Sequence, residues 1–436
     1  MSFLRICLAA SLSAAMLDAS AAPIVVRVQR DAGTQPNGWS FSPAVSGDGR
    51  FVVFGTNATN YLAGAASNPL LRYHVGPRQF ELLTPANANG AHSRPAVSTS
   101  GRYVVFETLA TNIPADGTNG ENTDVLRLDV ETRTFRRASR AWNDGVGTPT
   151  ATNAAARSPV VSGDGRYVMF TSTATNLLNG VATGGHAHLY QMDFSTGIVS
   201  MVDRTAQGAA GIGDVDPLES GALSADGSRI VFTTMAKNLA TVFNGNVFDV
   251  LVGTRNPQTG GFVFQNVNRN VAGSVVGQNS SDRGSISANG RYVVFRTAAN
   301  TIHTTDSPSN LYVRDLVANS LHTVALPNGY QTCDRARVAD DGSVLMQCSP
   351  TPPASVIQLF VAGLGQAVPR LVTRNSLGAA ANATSNAFFT WSADGRVSAF
   401  ESEATNLVAN DTNLNPDVFL AGDASALDGL FGDGFE

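Results

Sequence analysis

The stretch SGDGRFVVF, residues 46–54, returns almost unchanged as SGDGRYVMF at residues 162–170. Five further copies are STSGRYVVF, SADGSRIVF, SANGRYVVF, ADDGSVLMQ and SADGRVSAF, which start at Ser98, Ser224, Ser287, Ala339 and Ser392. Successive copies lie 52, 64, 62, 63, 52 and 53 residues apart. A period of this size indicates that one supersecondary unit is repeated seven times along the chain.

Each copy of the repeated stretch joins a tight turn to a strand. Ser, Asp or Asn, and Gly are turn residues, because the first three bond nearby backbone and Gly accepts a positive φ. The residues that follow are β-branched or aromatic and predict a strand that is buried on both faces. We therefore interpret the stretch as a scaffold turn. The alternative is that its Asp residues form a functional site.

Three further features recur with the same period as the repeated stretch. A second turn follows it, for example NATN at 57–60, and then two more strands, for example HLYQMD at 188–193 and IVSMVD at 198–203. Four short antiparallel strands in each of seven units predict an all-β fold, a seven-bladed β-propeller. The chain starts with an isolated fourth strand, IVVRVQR at 24–30, and its last unit stops after the third strand at 417–422. The N-terminal strand is therefore predicted to complete blade 7 and close the ring.

These motifs resemble the TolB-like family of WD40-like propeller repeats, whose units read S-x-D-G-R-x-V-x-F, then A-T-N-L, then D-V-F-x-x-D. The resemblance extends over about residues 24–422, and the sixth copy departs from it by lacking the Ser, the Phe and the ATN turn. It implies the propeller fold and an exported bacterial protein. It says little about activity, since propellers carry unrelated functions.

The N-terminus predicts export. Arg5, the apolar run ICLAASLSAAML and the sequence ASA at 19–21 have the order of a signal peptide, which we assign to residues 1–21. The propeller would occupy residues 22–422, and residues 423–436 would be a tail that is either a sorting signal or a frayed end. No later apolar run is long enough to span a membrane. The mature protein is expected to be periplasmic or secreted, and monomeric.

Composition limits the classes of partner. The formal net charge is −5 and no cluster of Lys and Arg occurs, so a nucleic-acid partner is not expected. The sequence contains no G-x-S-x-G, no H-E-x-x-H and no phosphate-binding glycine loop. These absences favour a non-enzymatic protein and leave its enzymatic status open.

Two cysteines remain after removal of the signal peptide, Cys333 and Cys348. They flank the ADDG turn almost symmetrically, so they are predicted to face each other on paired first and second strands at a distance suited to a disulfide. Export supplies an oxidising compartment. The alternative is a pair of buried free thiols.

One acidic group is a candidate binding site. Asp214, Asp216 and Glu219 lie on a long connection at the predicted loop-rich face, where a pair of carboxylates at the right separation can act on glycosidic bonds. The alternative is a solvated loop.

One loop is a candidate metal site. Asp411, Asn413, Asn415 and Asp417 alternate at two-residue spacing, which suits the hard oxygen ligands of Ca²⁺. The competing account is turn chemistry, in which Asp and Asn bond their own backbone. Calcium is the one cofactor that the sequence suggests.

The functional prediction is an exported, non-enzymatic propeller that acts as a binding or scaffolding module of the cell envelope. Its partner would be a protein, peptide or glycan that docks on the loop-rich face. The alternative is a secreted hydrolase or lyase with carboxylates at the central channel. The two differ in one structural respect, because a hydrolase should bring several acidic or histidine side chains to one mouth of the channel.

Overall fold

Seven four-stranded antiparallel sheets form the blades of a ring, as the repeat predicts. The computed structural model describes residues 23–29, 34–62, 68–113, 122–141, 152–216, 221–240, 247–273, 279–299, 301–303, 307–423 and 427. The predicted signal peptide and most of the predicted tail lie outside these residues. Within them, no helix is long and apolar enough to cross a membrane.

The strands are numbered in chain order, and blades 1 to 6 each use four consecutive ones. Blades 1 to 3 contain β2 (Ser40–Val45), β3 (Phe51–Thr56), β4 (Leu70–His74), β5 (Gln79–Leu82); β6 (His92–Val97), β7 (Tyr103–Thr108), β8 (Asp124–Asp129), β9 (Thr134–Arg137); and β10 (Ala156–Val161), β11 (Tyr167–Ser172), β12 (His188–Asp193), β13 (Ile198–Met201). Blades 4 to 6 contain β14 (Ala222–Leu223), β15 (Arg229–Thr234), β16 (Asp249–Arg255), β17 (Phe262–Asn266); β18 (Ser281–Ile286), β19 (Tyr292–Thr297), β20 (Leu311–Asp315), β21 (Ser320–Thr323); and β22 (Tyr330–Val338), β23 (Val344–Pro350), β24 (Gln358–Ala362), β25 (Arg370–Leu371).

Blade 7 joins the two ends of the chain. It contains β26 (Ser385–Trp391), β27 (Val397–Ser402), β28 (Asp417–Gly422) and, as its outermost strand, β1 (Ile24–Arg27). Strand β1 pairs antiparallel with β28 along its whole length, from Ile24 opposite Gly422 to Arg27 opposite Phe419. The predicted closure by the N-terminal strand is therefore confirmed.

The repeated turns form a ring of hydrogen bonds around the channel. Asp48 N–H donates to the Thr99 carbonyl of the next blade, and Thr99 N–H donates to the Gly163 carbonyl of the blade after it. Equivalent backbone bonds join blade 3 to 4, blade 4 to 5, blade 6 to 7 and, through Ala393 N–H and the Gly47 carbonyl, blade 7 to 1. Blade 5 is joined to blade 6 by a hydrogen bond from Asn289 N–H to Asp340 Oδ1. This ring explains why the chain repeats the stretch, because each copy ties its blade to a neighbour.

Side chains within the turn hold its shape. Ser46 Oγ accepts from Phe51 N–H at 3.0 Å and donates to Asp48 Oδ1 at 2.6 Å, and Gly49 has a φ of 75°. The Phe that ends the stretch is fully buried in six blades, at Phe54, Phe106, Phe170, Phe232, Phe295 and Phe400. The core therefore lies within and between the blades. The Asp residues of the stretch serve the turn, as the scaffold interpretation predicts.

At the opposite end of the blades, the ATN turns form hydrogen bonds with the segment that precedes each inner strand. Thr59 N–H donates to Asn37 Oδ1 at 2.8 Å, Asn37 Nδ2 donates to Thr59 Oγ1 at 2.9 Å, and Asn60 Nδ2 donates to the Gln35 carbonyl at 2.7 Å. Equivalent contacts hold Asn89, Asn153 and Asn382 in blades 2, 3 and 7. The turn thus fastens the segment that enters each inner strand.

Candidate functional site

The inner strands surround a central channel with two different ends. We call the end that carries the repeated turns the plain face, and the end where the inner strands begin the loop-rich face. Between them lies a cavity of about 360 Å³. Three arginines line it, Arg94, Arg335 and Arg337, and among the described residues of its wall there is no Asp or Glu.

A bulge interrupts the inner strand near the loop-rich face. The register shifts in blades 1, 2, 3 and 5, and the bulged residues Ser42, Arg94, Ser158 and Arg283 have φ values of 52°, 48°, 53° and 56°. Each stands four residues before its copy of the repeated stretch, as Arg335 does in blade 6. A positive φ is unusual for these residue types, and such strain occurs preferentially at functional sites.

Two buried glutamates support these bulges from the preceding blade. Glu107 Oε1 accepts from Ser158 N–H at 2.7 Å, and Glu401 Oε2 accepts from Ser42 N–H at 3.1 Å. Arg94 lies beside the first of them, because its Nη1 donates to Ser158 Oγ at 2.9 Å and its Nε is 3.7 Å from Glu107 Oε1. The glutamates therefore position the strand that carries the channel residues.

An aspartate lies in or shortly before the inner strand of three consecutive blades. Asp216 N–H donates to the Thr233 carbonyl, which places it opposite the second strand of blade 4 as Asp282 lies opposite Arg296 in blade 5. Asp334 stands at the same offset in blade 6, five residues before Ala339. Asp282 and Asp334 thus share a sequence offset near the start of the inner strand, whereas Asp216 shares with Asp282 its position opposite the second strand.

A single guanidinium joins two of these aspartates. Arg296 Nε and Nη2 donate to the two oxygens of Asp282 at 2.8 and 2.6 Å, and Arg296 Nη1 donates to Asp334 Oδ1 at 2.7 Å. The hydrogen bonds and charge of Asp282 raise the pKa of Arg296. The side chains of Asp282 and Asp334 are 24% and 35% exposed, so solvent and a ligand can reach them.

The predicted acidic binding group stays a prediction. Asp216 lies opposite the second strand of blade 4, whereas Asp214 accepts a hydrogen bond from Ala187 N–H at 2.8 Å and lies 3.4 Å from His186 Nδ1. Glu219 lies outside the described residues. Its offset, five residues before Ser224, is the one that Asp282 and Asp334 have in their blades.

The predicted calcium loop surrounds an arginine. Arg27 Nη1 lies 3.2 Å from Asp411 Oδ1 and 3.2 Å from Asp417 Oδ2, and both carboxylates are buried. Asn413 Nδ2 donates to the Pro36 carbonyl at 2.8 Å, and Asn415 N–H donates to Asn413 Oδ1 at 3.0 Å. Within the part of the chain that is described, no three His, Cys, Asp or Glu side chains are grouped to hold a metal. Calcium binding here stays a prediction.

Burial changes the acidity of this loop. Desolvation raises the pKa of Asp417 to about 7, against the opposing charge of Arg27. Its Oδ1 has no hydrogen-bond partner although the side chain is fully buried. The loop thus holds two carboxylates against one positive charge.

The predicted disulfide is confirmed. Cys333 lies directly opposite Cys348 in the pairing of β22 with β23, and their sulfur atoms are bonded with a Cα–Cα distance of 4.0 Å. Such a bond fits an exported protein.

Comparisons with known proteins support the fold. No protein-family model matches the chain, and no curated protein matches its sequence. An oligogalacturonate lyase in complex with manganese is 13% identical, with 94% of this chain and 96% of that chain covered and a TM-score of 0.52. An oligogalacturonate lyase from Vibrio parahaemolyticus is 12% identical, with 91% and 93% covered and a TM-score of 0.52.

TolB from Acinetobacter baumannii also matches, at 18% identity and a TM-score of 0.33, with 76% of this chain and 56% of that chain covered. The propeller architecture that the TolB-like repeats imply is what the seven blades show. At these identities the likeness to solved structures concerns the fold.

The predicted non-enzymatic function is corrected by these findings. Two solved structures that match over nearly the whole of both chains are named as oligogalacturonate lyases, so those two propellers are enzymes without a further domain of comparable size. The absence of familiar catalytic motifs, on which the prediction relied, was a weak argument. The alternative, a hydrolase or lyase with carboxylates at the channel, agrees better with the comparisons.

Proposed function

We propose that this protein is a hydrolase or lyase whose active site is the loop-rich mouth of the central channel. The observation that carries the proposal is the cluster of Asp282, Arg296 and Asp334. Asp334 directly precedes Arg335, one of the arginines that line the channel cavity, and Asp282 lies two residues before Gly284 of the same wall. Carboxylates that a neighbouring cation orients can transfer protons to and from a substrate.

The cavity favours an anionic substrate. Arg94, Arg335 and Arg337 present guanidinium groups, which bind carboxylates through paired hydrogen bonds. The two similar lyases are named for oligogalacturonate, a carboxylated oligosaccharide. An acidic oligosaccharide is therefore the substrate class that we propose.

The aspartates and arginines have separate roles in this proposal. Asp282 and Asp334 act on the glycosidic bond as acid and base, and Arg296 positions both. The cavity arginines neutralise the acidic groups of the sugar. Glu107 and Glu401 are positioning residues, because they hold the bulges and not the substrate.

The signal sequence and the disulfide support a place of action outside the cytoplasm. We propose a periplasmic or secreted monomer whose partner is the glycan that it cleaves. Fractionation of the producing cells tests the compartment.

An activity assay tests the proposed reaction. The mature protein is incubated with acidic and neutral oligosaccharides, and both new reducing ends and unsaturated sugar products are measured, because hydrolysis yields only the former. We expect cleavage of an acidic oligosaccharide. Asp282→Asn and Asp334→Asn are each expected to lower kcat by about 100-fold or more, the usual contribution of a general acid or base.

Asp164→Asn is the matched control. Asp164 is also an aspartate on a hairpin, but it caps a turn on the plain face, where its Oδ1 accepts from Ser162 Oγ and Arg166 N–H. This variant should keep full activity. A protein that releases neither product from any acidic or neutral oligosaccharide, or one in which Asp164→Asn is as inactive as Asp282→Asn, would contradict the proposal.

A further inference from the structure

A second polar cavity lies on the outer side of the ring between blades 4 and 5. It has a volume of about 270 Å³. Blade 4 contributes the end of β17 and the connection after it, and blade 5 contributes β20 and the turn that follows. Its lining residues are Gln265, Asn266, Val267, Arg269, Arg314, Leu316 and Asn319. None of them belongs to the channel.

Two buried donors in this outer cavity have no hydrogen-bond partner. They are Nδ2 of Asn266 and Nη1 of Arg314, on side chains of residues that are only 4% and 3% exposed. The other terminal nitrogen of Arg314 donates to the Val267 carbonyl at 3.1 Å and to the Arg269 carbonyl. These two bonds hold the guanidinium in place, so Nη1 faces the cavity wall unpaired. Native proteins rarely leave buried donors unsatisfied.

The charge of the outer cavity is positive. Arg269 is the second arginine in the wall, and its Nη2 donates to Gln265 Oε1 at 2.9 Å. Within the described residues neither arginine forms an ion pair, and no Asp or Glu lines the cavity. Burial and the nearby Arg269 lower the pKa of Arg314 to about 10, so it stays charged at neutral pH.

The unpaired groups in the outer cavity are hydrogen-bond donors, and this favours an anion over a water molecule as the occupant of the cavity. A buried water accepts hydrogen bonds but also needs acceptors for its own hydrogens. An oxyanion accepts from every side and also compensates the two positive charges. Buried charges in proteins are normally paired with an opposite charge, and among the described residues no Asp or Glu lines this cavity.

We propose that the outer cavity binds an oxyanion, a sulfate or phosphate group, through Arg314, Asn266 and Arg269. Both groups offer several acceptor oxygens around one negative centre, which matches the fixed guanidinium and the amide. The group is either a free ion or the terminal group of a larger molecule. This site is independent of the reaction proposed for the channel.

Isothermal titration calorimetry of the mature protein tests the site. Inorganic sulfate, inorganic phosphate and a sugar sulfate are titrated at low millimolar concentration and constant ionic strength, with chloride as the reference. We expect saturable binding of sulfate or phosphate and none of chloride. Equal affinity for sulfate and sugar sulfate indicates a free ion, and tighter binding of the sugar sulfate indicates a larger ligand.

Variants of the outer cavity locate the binding. Arg314→Met and Asn266→Leu should each weaken sulfate and phosphate at least tenfold, and Arg269→Gln should do so while leaving the buried Arg314 intact. Arg127→Met is the matched control, since Arg127 is a part-buried arginine outside this cavity whose guanidinium lies 3.7 Å from the ring centre of Phe194. It should bind as the parent does. No saturable binding by the parent, or equal binding by the parent and the folded Arg269→Gln and Asn266→Leu variants, would overturn the proposal.

Discussion

Blades 6 and 7 are both held together by a contact that the other blades lack, but the two contacts differ in kind. Blade 7 takes three strands from the C-terminal end of the chain and its fourth, β1, from the N-terminal end. Blade 6 is one continuous segment whose first two strands are joined covalently by Cys333 and Cys348. The first contact closes the ring, whereas the second strengthens a single hairpin.

The two contacts differ because the two blades depart from the regular unit in different ways. In blade 6 the turn is one residue shorter, since Ala339 N–H bonds the Ser343 carbonyl four residues on, whereas Ser46 N–H bonds the Phe51 carbonyl five residues on. Ala339 has no hydroxyl to replace Ser46 Oγ, and Met346 replaces the buried Phe. The disulfide spans this weakened hairpin. Blade 7 keeps a regular turn at Ser392 but depends on a strand that arrives from the other end of the chain.

Loss of the closing strand is expected to have the largest effect. Removal of residues 22–31 from the mature chain exposes β28 as an unpaired edge and removes Val28, Val26 and Ile24 from the core they share with Leu420 and Leu427. Each buried aliphatic side chain contributes roughly 1.5–3 kcal/mol, so the loss is on the order of 5 kcal/mol. Thermal unfolding measured by circular dichroism should shift far downwards or lose its cooperative transition.

Addition of the missing strand as a peptide is the control for this deletion. A peptide of residues 22–31 can add to the exposed edge of β28 by β-augmentation and should restore the transition. A peptide in which Val26 and Val28 are replaced by Asp should not. A truncated protein that melts like the parent would show that blade 7 does not need β1.

Loss of the disulfide is expected to cost less. It closes a loop with a sequence separation of 15 residues, for which the chain-entropy model gives about 3 kcal/mol. The double variant Cys333→Ala/Cys348→Ala should therefore unfold at lower denaturant concentration, measured by urea titration, while the fold is kept. The matched control is the parent protein treated with reductant, which should lose a similar amount. If the oxidised parent and the double variant unfold at the same urea concentration, the bond does not stabilise blade 6.

The blades, the closure of blade 7 and the disulfide could all be predicted from the sequence. The seven copies fix the blades, because turn and strand chemistry recur in register, and the incomplete units at the two ends predict the closure of blade 7. The symmetric placement of Cys333 and Cys348 about the ADDG turn predicts the disulfide. The channel aspartates were harder to find. From the sequence, only Asp216 is predicted. The signal for Asp282 and Asp334 is their shared offset, five residues before the copies at Ser287 and Ala339.

The outer cavity could not be predicted in this way. Asn266 and Arg314 belong to different blades and occupy positions that the repeat does not share, so no period links them. Their significance depends on burial and on hydrogen bonds that stay unmade, which are properties of the packed structure. Contacts also separate near neighbours in sequence, because Asp214 accepts from Ala187 N–H whereas Asp216 N–H donates to the Thr233 carbonyl.

Calcium binding at the loop of residues 411–417 is expected to have the smallest effect on stability. The loop at 411–417 connects the closing strand to blade 7, because Arg27 of β1 lies between Asp411 and Asp417. In the parent this guanidinium occupies the place of a cation, so Ca²⁺ must compete with it. At several millimolar Ca²⁺ and a Kd of about 10⁻⁴–10⁻³ M, mass action contributes at most about 1–2 kcal/mol to the free energy of unfolding.

The variant Arg27→Met removes the guanidinium that competes with Ca²⁺. It therefore distinguishes a calcium site from a simple turn. Without Arg27 the oxygens of the two buried carboxyl groups have no cation beside them, so Ca²⁺ should raise the melting temperature of this variant more than that of the parent, each measured against EDTA. Mg²⁺ is the control ion, since it loses its water reluctantly and fits irregular loops poorly. Asp411→Ala in the Arg27→Met background should abolish the difference. If neither the parent nor Arg27→Met responds to Ca²⁺, the loop is a turn held by an arginine, and blade 7 is closed by protein contacts alone.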